Sequence, residues 1–163
     1  MASSIPTGTG FHLAGSGGGG GSTDALTVYA SGVAGEAIAV GDVLRFDRSG
    51  GVNAGRLLKA QALSASAGVA ADVVGVAKTA AAGAGSSVEY YLAGSVATAL
   101  DVAPAATANG SRLYLSAATA GKATLTAPSG AGEAVVLVGF LVGGDGASTT
   151  PAAVLRPDII ALL

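Results

Sequence analysis

The chain has 163 residues, 27 of them glycine, with no cysteine, no tryptophan, one histidine and only 11% charged residues. A net charge of −2, with eight lysines and arginines scattered singly, excludes the basic stripe that a nucleic-acid partner requires. Lack of cysteine excludes disulfides and thiolate metal sites.

Half of the residues are apolar, but many are alanine. An alanine buries about one methyl group, ~0.8 kcal/mol, against about 1.5–3 kcal/mol for valine, leucine or isoleucine. Four tyrosines and three phenylalanines cannot fill a wide core. A thin core is often completed by a neighbouring subunit, so a homo-oligomer is expected.

Residues 1–23 read as a flexible N-terminal arm and 24–163 as a single β-rich domain. Within the arm, Ser16–Ser22 encloses five successive glycines, a flexible coil with a reach of about 5–6 Å times the square root of its length. Ile5, Phe11 and Leu13 lie upstream of that tether. They belong either to a disordered terminus or to a docking arm that orders on another protein. Met1–Gly8 has neither the basic start nor the apolar run of a secretory signal.

From Ala25 onward the pattern is that of short strands. Leu26–Ala30 reads as the first. Ile38 and Val40, then Val43, Leu44 and Phe46, mark two more around Gly41-Asp42, and Ser49–Gly51 closes a turn. Arg56–Leu63 suits a strand better than a helix because turn residues flank it closely. Ala65–Ala71 is a small-residue loop or one helical turn. Asp72–Ala77 is a strand and Ala80–Gly85 a loop. Ser87–Leu92 and Gly94–Leu100 read as two further strands.

Asn109-Gly110 suggests a type I′ turn, since both residues accept positive φ. Leu113 and Leu115 alternate with Tyr114 and Ser116, and the two-residue period resumes at Thr124–Thr126 after Gly121-Lys122. Ala134–Val142 is a buried strand; at nine residues it is about half of a membrane helix, so no membrane span is expected. A last strand falls near Val154-Leu155, before an apolar C-terminus. Strands at this spacing, without a helix longer than two turns, indicate an all-β fold, a small β-barrel or β-sandwich. Val73–Ala77 and Leu137–Leu141 echo each other, which reads as independent use of one good strand-plus-loop, and the glycine inside each apolar strand marks a bulge or a close backbone approach.

No catalytic constellation emerges. His12 lies in the arm, without a fixed partner. The run Gly17–Gly21 lacks the strand, lysine and helix of a phosphate loop. Gly143-Gly144-Asp145-Gly146 occurs once, with no second acidic ligand, and reads as a turn rather than a calcium repeat. Ten carboxylates are spread over the chain, mostly at strand ends and turns, among them Glu36, Asp42, Asp47, Asp72, Glu89, Asp101, Glu133 and Asp145. A sugar-cleaving pair among them would lack the tryptophan wall such sites use. Asn109-Gly110-Ser111 matches a glycosylation acceptor but reads as a turn. Tyr90 and Tyr91 point to opposite faces of one strand, one packing inside and the other exposed or at a subunit contact.

Taken in order, Leu58-Lys59-Ala60, Val73–Ala77, the small-residue loop ending at Gly85, Gly94-Ser95-Val96, Gly110–Ser116, Gly121–Thr124 and Val138-Gly139 resemble the capsid decoration (cement) and head-fibre proteins of tailed bacteriophages. The resemblance runs from about Gly32 to the C-terminus. It implies a β-rich, usually trimeric structural protein on the outer surface of a phage head, bound to the major capsid protein. It implies no catalytic residue, metal or cofactor. In that family an N-terminal arm commonly makes the capsid contact, and residues 1–23 occupy its place, although the pentaglycine run departs from a well-ordered arm.

On this reading Ile5, Phe11 and Leu13 are the capsid anchors. Tyr91, Ile159, Ile160 and Leu163 are subunit contacts, because an apolar terminus is costly to leave wet. The rivals are a low-copy head or tail fibre module, a hydrolase on a β-scaffold, and a self-assembling shell protein of a cell.

Overall fold

The computed structural model describes residues 12–14, 27–63 and 71–162. Ten strands follow in chain order: β1 (His12–Ala14), β2 (Thr27–Val33), β3 (Val43–Phe46), β4 (Leu57–Lys59), β5 (Val73–Ala77), β6 (Ser87–Ala97), β7 (Arg112–Leu115), β8 (Ala123–Thr124), β9 (Ala134–Leu141) and β10 (Ala152–Leu162). The fold is all-β, a curled antiparallel sheet with barrel-like character. Along its main path the order is β4-β3-β5-β6-β10-β9-β7-β8, while β2 pairs with β6 and carries β1 on its other side.

Curling brings the two ends of that path together. Gly121 N–H, in the turn between β7 and β8, donates to Ala60 O at 2.7 Å, and Val43 N–H donates to Gly121 O at 2.8 Å. Ala62 N–H adds a third bond, to Ser116 O at 2.9 Å. Backbone groups at these strand ends are thus satisfied by the far end of the same sheet rather than by water.

The strand order reads the same from either end, and the hydrogen bonds show why. The unit β3–β6 and the unit β7–β10 are built alike. Gly41 N–H donates to Ala77 O and Ala77 N–H to Asp42 O; Gly110 N–H donates to Leu141 O and Leu141 N–H to Ser111 O. Both Gly41 (φ 87°) and Gly110 (φ 88°) take the left-handed conformation that closes a four-residue turn, Ala39–Asp42 and Ala108–Ser111. Past the glycine of β5, register slips between Leu44, opposite Gly75, and Arg45, opposite Val73. In β9 it slips at the corresponding place, between Leu113, opposite Gly139, and Tyr114, opposite Leu137. The echo between Val73–Ala77 and Leu137–Leu141 is therefore part of a repeat that includes the preceding turn and hairpin, not an isolated likeness.

Three local expectations are corrected. Asn109 has φ −58° and ψ 136°, so Asn109-Gly110 forms a type II turn, not type I′. Ser87–Ala97 is one strand rather than two. Its halves nevertheless do different work: Val88 and Tyr90 lie in one core cluster and Val96 in the other, with Gly94 (φ 113°) between them. The final strand is longer than its Val154-Leu155 centre, running Ala152–Leu162. It tolerates Pro157 because that residue falls where the register with β9 shifts, between Leu155 and Asp158, and no ladder donor is required. The loop expected at Ala65–Ala71 lies almost wholly outside the described residues.

The larger cluster joins the units, with Val43 and Val76 of the first packed against Leu113, Leu115, Val136 and Leu141 of the second. The smaller lies on the other face of the first unit, around Leu44, Leu57, Val88 and Tyr90. There the Tyr90 ring meets Phe46 edge to face, centroids 6.3 Å apart.

Burial pushes the Tyr90 hydroxyl above the ordinary tyrosine value of 10.0. The Glu89 carboxylate, 2.6 Å from Lys78 Nζ, holds that ammonium above its ordinary 10.5. Both groups bind their protons more tightly in the folded chain, so their contribution is complete below the unfolded values and is lost as pH rises through the native ones. The urea midpoint should stay level from neutrality to about pH 9 and fall above about pH 10.5. A midpoint unchanged at still higher pH would mean that Tyr90 is not sealed in the smaller cluster.

Candidate binding face

Strand alternation decides what the second unit presents outward. Leu113 and Leu115 face the core, so Arg112 and Tyr114 face away from it. Cross-strand register then places Arg112 opposite Phe140 and Phe140 opposite Val154, a row across β7, β9 and β10. The next row is Tyr114, Leu137 and Asp158. Arg112, Leu137, Phe140, Arg156 and Asp158 line an open cleft of about 340 Å³ on this face. Arg112, Arg156 and Asp158 are exposed, and Val154 keeps 41% of its surface in water. None of the three charged groups has an ion-pair partner among the described residues. Arginine and aromatic side chains around an apolar floor are the groups that carry binding energy at protein interfaces.

The carboxylates singled out in the sequence are placed differently. Each holds local structure. Asp42 is buried, accepts the Ala39 N–H at 2.8 Å and pairs with Lys122 Nζ at 3.0 Å. Asp72 pairs with Arg48, Glu89 with Lys78 at 2.6 Å, and Glu36 accepts the Lys59 N–H at 2.6 Å. Asp101 accepts from Ser116 Oγ at 2.6 Å. Glu133 accepts the Gly130 N–H, and Asp47 the Ser49 N–H, which holds the Asp47 carboxyl below its ordinary value. Asp145 accepts the N–H groups of Ser148 and Ala147, which lower its pKa in the same way. Gly143–Asp145 has no regular structure and the chain bends at Gly146-Ala147, and among the described residues no group of three or more His, Cys, Asp or Glu side chains is gathered to hold a metal.

The anchors and contacts expected from the sequence are distributed as follows. Ile5, Phe11 and Leu163 lie outside the described residues. Leu13 is in β1, opposite Val28 of β2, and His12 is opposite Tyr29, so this piece of the arm lies along the sheet. Tyr91 is half-buried and packs against the larger cluster, while Tyr90 is buried in the smaller. Tyr90 is thus the inward tyrosine of the pair, and Tyr91 keeps part of its surface exposed. Ile159 and Ile160 belong to β10, with Ile159 opposite Val136 and Ile160 at a register shift. Among the described side chains, no predicted site residue lines the Arg112–Phe140–Arg156 face. The signal for it was present in the alternation Arg112-Leu113-Tyr114-Leu115, but its neighbours come from strands 28 and 44 residues further on, at Phe140 and Arg156.

Compared with protein-family models, with curated proteins and with solved structures, the chain matches none of them.

Proposed function

We propose that the chain is a structural protein of a phage virion, which binds the outside of an assembled capsid as an oligomer and reinforces it. The observation that carries this reading is the outward Arg112–Phe140–Val154 face, which has the chemistry of a docking surface. Eight of the ten carboxylates are engaged in turns, hydrogen bonds and ion pairs, which disfavours a hydrolase built on them. The sequence resemblance to decoration and head-fibre proteins supports the same reading. A lattice offers many copies of one modest contact, and their sum holds a shell that a single contact would not.

The decisive measurement is the copy number of this chain relative to the major capsid protein in purified particles. A ratio near one, or a simple fraction of it, is expected. A ratio of a few per cent or less would assign it to a fibre, vertex or neck position, and absence from particles would overturn the virion reading. Deletion of residues 1–23 should weaken binding to particles in a sedimentation assay. Undiminished binding would remove Ile5, Phe11 and Leu13 as anchors.

A further inference from the structure

The repeat gives the outer face of the second unit a meaning that its composition alone does not. In the first unit the corresponding row is Val43, Val76 and Tyr91, in register across β3, β5 and β6. That row is covered: Val43 and Val76 are fully buried, and Tyr91 packs against the same cluster, under side chains of the second unit. In the second unit the equivalent row is Arg112, Phe140 and Val154, and nothing in the described chain covers it. One face of the repeated unit is thus an interface inside the molecule and an open surface on its far side.

Charge says what suits the open copy. Among the described residues, the face carries two arginines without ion-pair partners, Arg112 and Arg156, beside one such carboxylate, Asp158. It is self-complementary, because an Asp158 brought from a second molecule meets an arginine.

We infer that a second copy of this chain docks on the Arg112–Phe140–Arg156 face, with Asp158 of each copy set against an arginine of its neighbour and Phe140 and Leu137 forming the dry centre. The inference rests on the oligomeric part of the proposed function and is independent of where the oligomer sits. It also moves the subunit contact from Tyr91, which is packed within the chain, to the outward rows of β7, β9 and β10.

The test is sedimentation velocity on the full chain over a wide range of concentration, with Arg156→Asp, Asp158→Arg and the double exchange. Each single reversal should weaken self-association by about tenfold or more, because like charges then face each other, and the double exchange should restore it. These residues are exposed, and unchanged far-UV circular dichroism will confirm that the variants fold. Wild-type oligomers that withstand both reversals and also Phe140→Glu would place the contact elsewhere and leave the proposed function standing. A wild-type chain that is monomeric throughout would overturn the face and the oligomeric part of that reading together. Single reversals that leave the oligomer intact but abolish particle binding would assign the face to the capsid protein instead.

Discussion

Replacing Gly139 by alanine should prevent the chain from folding to a stable state, and Gly75→Ala should do nearly the same. A Cβ added at Gly139 would stand 2.0 Å from Val154 O, and one at Gly75 would stand 2.1 Å from Tyr91 O. Neither glycine has a positive φ, so the constraint is space alone. Each obstacle is a backbone carbonyl of the adjoining strand, which cannot swing aside like a flexible side chain. Relief requires β9 to part from β10, or β5 from β6, the pairs that flank the β6–β10 junction between the two units.

Overpacking in a dense interior typically costs about 1–3 kcal/mol, and a backbone clash of this depth belongs at or above that range. Against a total stability of about 5–15 kcal/mol for a typical domain, a cost above the overpacking range removes a large share of the margin. Gly83→Ala is the control, since nothing lies within 4 Å of its added methyl and its φ is ordinary. It should be neutral or stabilising by up to about 1 kcal/mol. Urea unfolding followed by circular dichroism separates the cases, and a Gly139→Ala protein as stable as the control would show that the close approach of β9 and β10 is not obligatory.

The same two glycines show how far the fold was legible in the sequence. Apolar runs bounded by glycine gave the strands of the central sheet, and a glycine inside Val73–Ala77 and Leu137–Leu141 pointed to a bulge or a close backbone approach, and both occur there. What alternation could not show was which residues each slip sets opposite one another, because that depends on the partner strand. Nor did it show that Ser87–Ala97 crosses from one core cluster to the other, since Tyr90 and Val96 look alike in a pattern of period two. Asn109 was misassigned for a related reason: its left-handed tolerance is permissive, and the surrounding turn uses Gly110 alone at positive φ. The repeat itself was hidden because its two copies share a hydrogen-bonding scheme while differing in side chains, Val43 against Arg112 and Val76 against Phe140. That difference separates a buried row from an exposed one, and from it the candidate face arises. Single-sequence reading found the strands that build the face but not their adjacency, which long-range pairing determines.

Asp42→Ala should loosen the closure of the sheet and cost about 3 kcal/mol, because two hydrogen bonds to a charged group, each contributing about 1.5–3 kcal/mol, are lost together. Asp42 bonds its own turn through Ala39 N–H and reaches across 80 residues of sequence to Lys122 Nζ. Lys122 follows Gly121, the residue whose N–H and carbonyl join the two ends of the sheet. The ion pair therefore fastens the turn that makes the closure. Lys122→Met keeps the stem but leaves the Asp42 carboxylate buried with one fewer partner, so it too should destabilise. If the two side chains act through each other, the double variant will be less damaged than the sum of the single ones, with a coupling of about 0.5–3 kcal/mol. Amide exchange locates the effect. The amides of Val43, Ala60 and Gly121 should exchange faster in Asp42→Ala, while the pairing of β9 with β10 stays protected until global unfolding. Exchange that rises equally at both places would mean that the sheet opens as one unit and that the Asp42–Lys122 pair is not its latch.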